Sequence, residues 1–305
     1  MSVSAVLIAG PTASGKSAAA LALAERIGGT LINADSMQIY RELTVLTARP
    51  GAADMARAPH LLYGHVSVEE PYSVGRYQAD AVAALDEVRA AKRIPIFVGG
   101  TGLYFAALTD GLAQFPPVPA AIREAVRTRR EELGPEAFFA SLAARDPESG
   151  LKLRPSDTQR TLRAMEVLEA TGKPLAYWQT HKGALVLAPD LKIARLVLSP
   201  PRAALHAAIN ARFEAMVEQG VLEEARALAG LDPALPAAKI LGLRPLQALA
   251  AGEIRREEAV RLAQTATRQY AKRQLTWFRQ RMADWIWLEP IPDSNILPEI
   301  MQHLT

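Results

Sequence analysis

Apolar residues come in short runs that end at turn formers. Val3 to Ala9 stops at Gly10, Ile94 to Val98 at Gly99-Gly100, and Lys192 to Leu198 just before Pro200-Pro201. Runs of this length, bounded this way, predict buried strands. Leu31-Ile32-Asn33 is a shorter candidate. Between them lie helical patterns. Ser17 to Ile27 is alanine-rich and is stopped by Gly28-Gly29, and Arg76 to Lys92 places Tyr77, Ala81, Ala84 and Val88 on one face. Strand alternating with helix predicts an α/β fold, a parallel sheet covered on both faces.

The texture changes after Gly111. Pro116, Pro117 and Pro119 mark a boundary, and three charged helical stretches follow: Ala121 to Leu133, Glu136 to Ala144 and Thr158 to Thr171. Ser156 to Gln159 has the Ser-x-x-Gln spacing of a capping box ahead of Leu162, Met165 and Leu168. This reads as a helical insertion, residues 116–191, into an α/β core made of 1–115 and 192–305. The stretch from Arg202 to about Asp284 is helical again, and no internal repeat or low-complexity tract is evident.

Composition narrows the class. The chain has 305 residues, half of them hydrophobic, enough for a sizeable core and too many for disorder. There is no cysteine, which excludes disulfides, thiolate catalysis, cysteine zinc sites and Fe–S clusters, and fits a reducing cytoplasm. The five histidines show no zinc spacing. No run of about 18 apolar residues suggests a membrane span. The N-terminal apolar run lacks a basic flank and a cleavage pattern, so it reads as a strand rather than a signal peptide. Net charge is only +3, so the distribution of basic residues must identify any anionic partner.

The candidate chemistry starts at Gly10-Pro11-Thr12-Ala13-Ser14-Gly15-Lys16-Ser17, which fits G-x-x-x-x-G-K-[ST] between a strand and a helix. A polyphosphate needs several converging N–H donors, and glycine lets the backbone come close. The helix start adds its dipole, Lys16 a cation, and the Ser17 hydroxyl a ligand for Mg²⁺. A motor or GTPase also needs an apolar strand ending in a carboxylate. Here Ile94 to Val98 runs into Gly-Gly-Thr and Lys192 to Leu198 into Ser199, so Asp35 is the only acid ending an early strand. That favours a transferase using the cradle for a diphosphate group. Asp35 and Thr101 lie past strand ends, the edge where open α/β sheets bind ligands. On position alone they can also be read as a helix N-cap and a turn hydroxyl.

At about 100° per residue, Arg261, Arg268, Lys272 and Arg279 share an arc of about 40°, opposite Ala263, Ala266, Tyr270 and Trp277. No acid lies between Arg261 and Met282. A single-sign stripe suits an anionic backbone, although an ordinary solvated helix is the alternative. Arg160 with Arg163, and Lys239 with Arg244, add cations. Arg123, Arg127, Arg129 and Arg130 are diluted by Glu124, Glu131 and Glu132.

Together these segments resemble the tRNA dimethylallyltransferases. The resemblance rests on the phosphate loop, Asn33-Ala34-Asp35-Ser36-Met37-Gln38-Ile39-Tyr40, Val98-Gly99-Gly100-Thr101-Gly102-Leu103-Tyr104, Gln159-Arg160-Thr161-Leu162-Arg163, Arg212-Phe213, and Ala271-Lys272-Arg273-Gln274-Leu275-Thr276-Trp277-Phe278-Arg279. It runs from about residue 4 to 280. It implies a P-loop-type core with a helical insertion that grips the anticodon arm. The implied reaction transfers a dimethylallyl group from dimethylallyl diphosphate to N6 of adenosine 37 in tRNA, by a monomeric, cytoplasmic, Mg²⁺-dependent enzyme with no obligate protein partner. It implies Asp35 as general base, with Thr101 and Arg212 at the diphosphate or reacting centre. The implied tRNA contacts are Asp35, Ser36, Met37, Gln38, Thr101, Arg123, Gln159, Arg160, Thr161, Leu162 and Arg163, then Lys239, Ile240, Leu241, Gly242, Leu243 and Arg244, and Lys272 through Arg279.

Three other readings stay open: a P-loop kinase using ATP, a prenyltransferase acting on free AMP or ADP, and a non-catalytic RNA-binding protein. A free nucleotide needs no long cationic groove, and an RNA-binding protein gives Asp35 no role.

Overall fold

The computed structural model describes residues 3–188, 190–290 and 295–304. Six parallel strands form one sheet: β1 (Ala5–Ala9), β2 (Gly29–Asn33), β3 (His60–Leu61), β4 (Ile94–Gly99), β5 (Ile193–Leu198) and β6 (Ile286–Leu288). Their spatial order is β3-β2-β4-β1-β5-β6. The four expected strands are present. Neither β3 nor β6 was anticipated; each is too short to leave a pattern, and each is an edge strand. Strand β2 also starts earlier than expected, at Gly29. Gly28 takes φ 66° to end the preceding helix, and Gly29 already pairs with Ile94.

Alternate residues face opposite layers, as the pleat requires. Ala5, Leu7, Ala9, Ile32, Phe97 and Val197 bury against Tyr77, Ala81, Ala84, Leu85 and Val88 of the helix Val74–Ala90, and against Phe105 and Leu108 of the helix Gly102–Thr109. Val6, Ile8, Leu31, Ile96, Leu196 and Leu198 bury against Ala19, Ala20, Leu23 and Ala24 of the helix Lys16–Ile27. A third core lies outside the sheet. It joins Ile39, Tyr40, Leu43 and Leu46 to Phe213 and Met216 of the helix Arg202–Glu218, to Leu243 and Leu246, and to Val260 and Ala263 of the helix Arg256–Arg281.

The chain divides into two compact units, 1–109 with 186–305, and 110–185. The second unit is helical and has its own core of Val126, Phe138, Leu142, Ala164, Met165 and Leu168. Its first helix, Ala120–Arg145, breaks at Gly134 (φ 73°) before Pro135, which separates the two stretches expected there. The helix Thr158–Thr171 is capped by Asp157, whose carboxylate accepts the Arg160 N–H at 3.2 Å. Ser156 and Gln159 therefore form no capping box; the aspartate one residue later takes that position. The chain leaves and rejoins the first unit at neighbouring points, because Leu187 N–H donates to the Leu108 carbonyl at 3.0 Å. Just beyond, Ala113 and Lys182 form an antiparallel bridge within the second unit.

Candidate active site

The spatial strand order brings three sequence-distant turns side by side. The turns after β2, β4 and β1 carry Asp35, Gly100-Thr101 and the phosphate loop, and these strands are neighbours in the sheet. The loop turns sharply through Ala13 (φ 64°) and Gly15 (φ 80°) into the helix that begins at Lys16. A Cβ at Gly10 would lie 2.6 Å from Ser14 Oγ and 2.9 Å from the Leu198 carbonyl, which is why glycine stands there. Lys16 Nζ donates to the Pro11 carbonyl at 3.2 Å. Burial pulls the Lys16 ammonium down to about 8, against the opposing pull of Asp35 and with a smaller push from Arg212. Ser14 Oγ is buried without a hydrogen-bond partner. An orphaned hydroxyl, a desolvated lysine and a helix start together form a site short of an anion.

Asp35 is held rigidly. Asn33 brackets it, accepting the Asp35 N–H at 2.9 Å and donating to its carbonyl at 2.9 Å. Asp35 Oδ1 accepts the Met37 N–H at 3.0 Å, while no group among the described residues donates to Oδ2. The alternative reading of Asp35 as a helix cap fails, since a turn and not a helix follows. Thr101 fastens this turn to β4. Its N–H donates to the Ala34 carbonyl at 3.1 Å, and its Oγ1 accepts the Ser36 N–H at 2.9 Å and donates to Ser36 Oγ at 3.1 Å. Tyr270 of the helix Arg256–Arg281 lies beside Thr101. Burial first, then the charge of Asp35, raises the phenols of Tyr63, Tyr104 and Tyr270, so they stay protonated beside the carboxylate.

A cavity of about 260 Å³ joins these parts. It is lined by Thr12 through Ser17, Asp35 and Arg212, and also by the apolar Leu46, Ile209, Phe213, Met216 and Leu241. Charged and apolar groups around one cavity suit a ligand with an anionic head and a small hydrocarbon tail. Arg212 is half-buried and donates to Thr12 Oγ1. Gln38 Nε2 donates to the carbonyls of Thr47 and Ala48, at 3.0 and 2.8 Å. Glu224 accepts the N–H groups of Thr44, Val45 and Leu46 at 2.7–2.9 Å, fixing the loop that supplies Leu46. Sequence reading found neither Glu224 nor the lining role of Tyr270. Glu224 carries no motif, and Tyr270 looked like a packing residue.

Among the described residues, no group of three His, Cys, Asp or Glu could hold a metal ion by itself. Ser17 is exposed at the cavity with an open hydroxyl. One hydroxyl beside a polyphosphate cradle fits Mg²⁺, which keeps waters and takes substrate phosphates as ligands.

The segments expected to meet RNA divide by burial. Ser36, Met37, Arg123, Gln159, Arg160, Lys239, Arg244, Lys272, Arg273, Thr276 and Arg279 are exposed or half-buried. Thr161, Ile240, Leu243, Gln274 and Phe278 are buried, at 8% exposure or less, so their side chains pack inward and only their neighbours present polar groups outward. Gly242 supplies φ 85°, starting the helix Leu243–Ala250. Leu162, Arg163, Leu275 and Trp277 are half-buried, and Arg163 sits over Phe115. The stripe is shorter than expected. Glu258 holds Arg261 at 2.6 Å, and Asn210 and Thr265 hold Arg268, which leaves Lys272 and Arg279 as its unpaired cations among the described residues. The Arg123 cluster is largely neutralised, with Arg127 beside Glu124, Arg129 beside Glu169 and Arg130 on Thr158.

Residues 38–281 match the IPP transferase family model, and 3–68 match the isopentenyl transferase model. Among curated proteins, the chain is 53% identical to a tRNA dimethylallyltransferase of Nitrobacter hamburgensis, covering 94% of this chain and 90% of that one. It is 52% identical to one of Parvibaculum lavamentivorans, covering 98% and 95%. Among solved structures, it is similar to the full-length tRNA isopentenylpyrophosphate transferase of Bacillus halodurans, with a TM-score of 0.68 and 29% identity over 97% of this chain and 93% of that chain. A eukaryotic dimethylallyltransferase, 24% identical, shares the fold at a TM-score of 0.75, over 93% of this chain and 73% of that one. With a glycine-rich cradle, a held carboxylate and a mixed-polarity cavity in one place, and with these relatives, the chain belongs to the tRNA dimethylallyltransferase family of prenyl-transferring enzymes.

Proposed function

We propose that the chain transfers the dimethylallyl group of dimethylallyl diphosphate to N6 of adenosine 37, beside the anticodon of tRNA. The carrying observation is Asp35, whose Oδ2 takes no donor among the described residues, on the same cavity as Ser14, Lys16 and Arg212. An adenine amine is a weak nucleophile because its lone pair is delocalised into the ring. The leaving group must therefore do much of the work. As the allylic C–O bond breaks, charge gathers on the diphosphate, and Lys16, Arg212, Ser14 and the loop amides donate to it. Each charge-assisted bond contributes about 1.5–3 kcal/mol. The N6–C1 bond forms, and Asp35 accepts the proton that the amine gives up. Thr101 keeps the Asp35 turn in place. Ser17 would hold Mg²⁺ together with diphosphate oxygens, and the ion supplies further neutralisation of the leaving group.

The apolar lining of Leu46, Ile209, Phe213, Met216 and Leu241 suits a five-carbon tail. A stacked purine must leave its stack to reach Asp35, which costs a few kcal/mol. Phosphate contacts from Lys272, Arg279, Arg160 and Lys239 would offset that cost. The same reading has the enzyme acting as a cytoplasmic monomer; no described helix is long and apolar enough to cross a membrane. The test is incubation with labelled dimethylallyl diphosphate and an unmodified anticodon stem-loop, followed by locating the label. Label on N6 of the adenosine beside the anticodon is expected. Label retained on the donor, or appearing only on free AMP, overturns the reading.

A further inference from the structure

Gln274 lies two turns from the C-terminal end of the helix Arg256–Arg281, and it is 5% exposed. Its Oε1 accepts the Thr12 N–H at 2.9 Å, and its Nε2 donates to the Gly100 carbonyl at 2.7 Å. One amide thus joins the phosphate loop to the turn between β4 and Thr101. The neighbouring residues are shaped around it. A Cβ on Gly100 would fall 2.2 Å from Gln274 Nε2, so only glycine leaves room for the amide. Thr12, fixed by its backbone, turns its hydroxyl to Arg212.

This arrangement decides which loop amides face an anion. Gly10 N–H is used by the Gly99 carbonyl, Ser14 N–H by the Pro11 carbonyl, and Thr12 N–H by Gln274. The amides of Ala13 and Gly15, and those of Lys16 and Ser17 at the helix start, remain for the diphosphate. On the Gly100 side, the next residue is Thr101, which carries the Ser36 contact of the Asp35 turn. Gln274 thus touches neither expected reacting centre yet is bonded to the neighbours of both.

We propose that Gln274 is a positioning residue for the transfer reaction. It holds Thr12, and through it Arg212, at a fixed separation from the Thr101–Asp35 turn, so that the leaving group and the proton acceptor stay in register. The inference rests on the function proposed above. Lys272 lies two residues from Gln274 on the other side of the helix and is exposed, so the amide serves the interior and not the RNA face.

The experiment compares the native enzyme with Gln274→Leu and Gln274→Glu. Steady-state prenylation of an anticodon stem-loop and calorimetric binding of dimethylallyl diphosphate at pH 7.5 would be measured, with circular dichroism as the fold check. Gln274→Leu strands a buried N–H and a buried carbonyl. It is expected to lower kcat about ten- to a hundredfold and to weaken donor binding, with the KM for RNA unchanged. Gln274→Glu keeps the acceptor for Thr12 and loses the donor to Gly100, so it should fall between the two and would answer the question if the leucine variant did not fold. Native kcat and donor affinity in a folded Gln274→Leu or Gln274→Glu protein would overturn the assignment. So would a loss confined to the KM for RNA. If the native enzyme itself transfers no prenyl group, the parent reading fails; the calorimetric comparison still reports whether Gln274 shapes the cradle.

Discussion

Lys16 offers the sharpest test of the anion cradle, because its ammonium is destabilised until an anion arrives. Burial holds its midpoint at about 8 in the free protein. A bound diphosphate would restore it toward the ordinary lysine value of about 10.4, a change of roughly 2.4 pKa units or about 3 kcal/mol. The sign follows directly. Above pH 8 the free protein holds Lys16 mostly neutral, the complex holds it charged, and binding takes up a proton. A midpoint of 8 gives an uptake of about 0.1 proton at pH 7, about 0.5 at pH 8 and about 0.9 at pH 9. Donor affinity should then fall toward tenfold per pH unit above 8. A terminal phosphate loses its last proton near pH 6, so the ligand adds little to the uptake in this range. Calorimetric titration of dimethylallyl diphosphate at pH 9, in two buffers of different ionisation enthalpy, counts the protons. Lys16→Arg keeps a cation that does not titrate, and should bind with no uptake. A native uptake near zero at pH 9, or equal uptake in native enzyme and Lys16→Arg, would refute the role given to Lys16.

Other expectations are simpler. Asp35→Asn should cut turnover by about 10²–10⁴-fold while stem-loop affinity in a filter-binding assay stays near native; weakened RNA binding with native turnover would remove Asp35 as the base. Lys272→Ala should weaken stem-loop binding and lower the slope of log K against log salt by about 1, and an unaltered slope would take Lys272 off the phosphate contacts. Gly99→Ala would set a Cβ 2.0 Å from the carbonyl carbon and oxygen of Ala34. Main chain cannot step aside as a side chain does, so urea unfolding should show a loss of about 1–3 kcal/mol or more; a native midpoint would contradict the close approach of β2 and β4.

Much of this architecture could be read from local pattern. The strands after Gly28 and before Gly99 and Ser199 were visible because buried parallel strands are continuous apolar runs with abrupt ends. The cradle was visible because its glycines and lysine sit at fixed spacing. What escaped was non-local. Strands β3 and β6 are too short to show a period, and they exist because a neighbour offers its edge. Glu224 reaches across 178 or more residues to the Thr44–Leu46 amides, and Gln274 across 262 to Thr12. No window of sequence contains both ends of either contact. Pairing along the cationic stripe was partly of the same kind: Asn210 lies on a different helix from Arg268, whereas Glu258, the partner of Arg261, lies only three residues away.

The Leu187–Leu108 hydrogen bond has an engineering consequence. The chain departs from the core and returns to it at adjacent positions, so excising residues 110–185 leaves a gap that a few glycines and serines can span at little entropic cost. The remainder retains Lys16, Asp35, Thr101, Arg212 and Gln274. The helical piece, with a core of its own, is in that sense an excursion of the chain whose two ends meet at one point of its host.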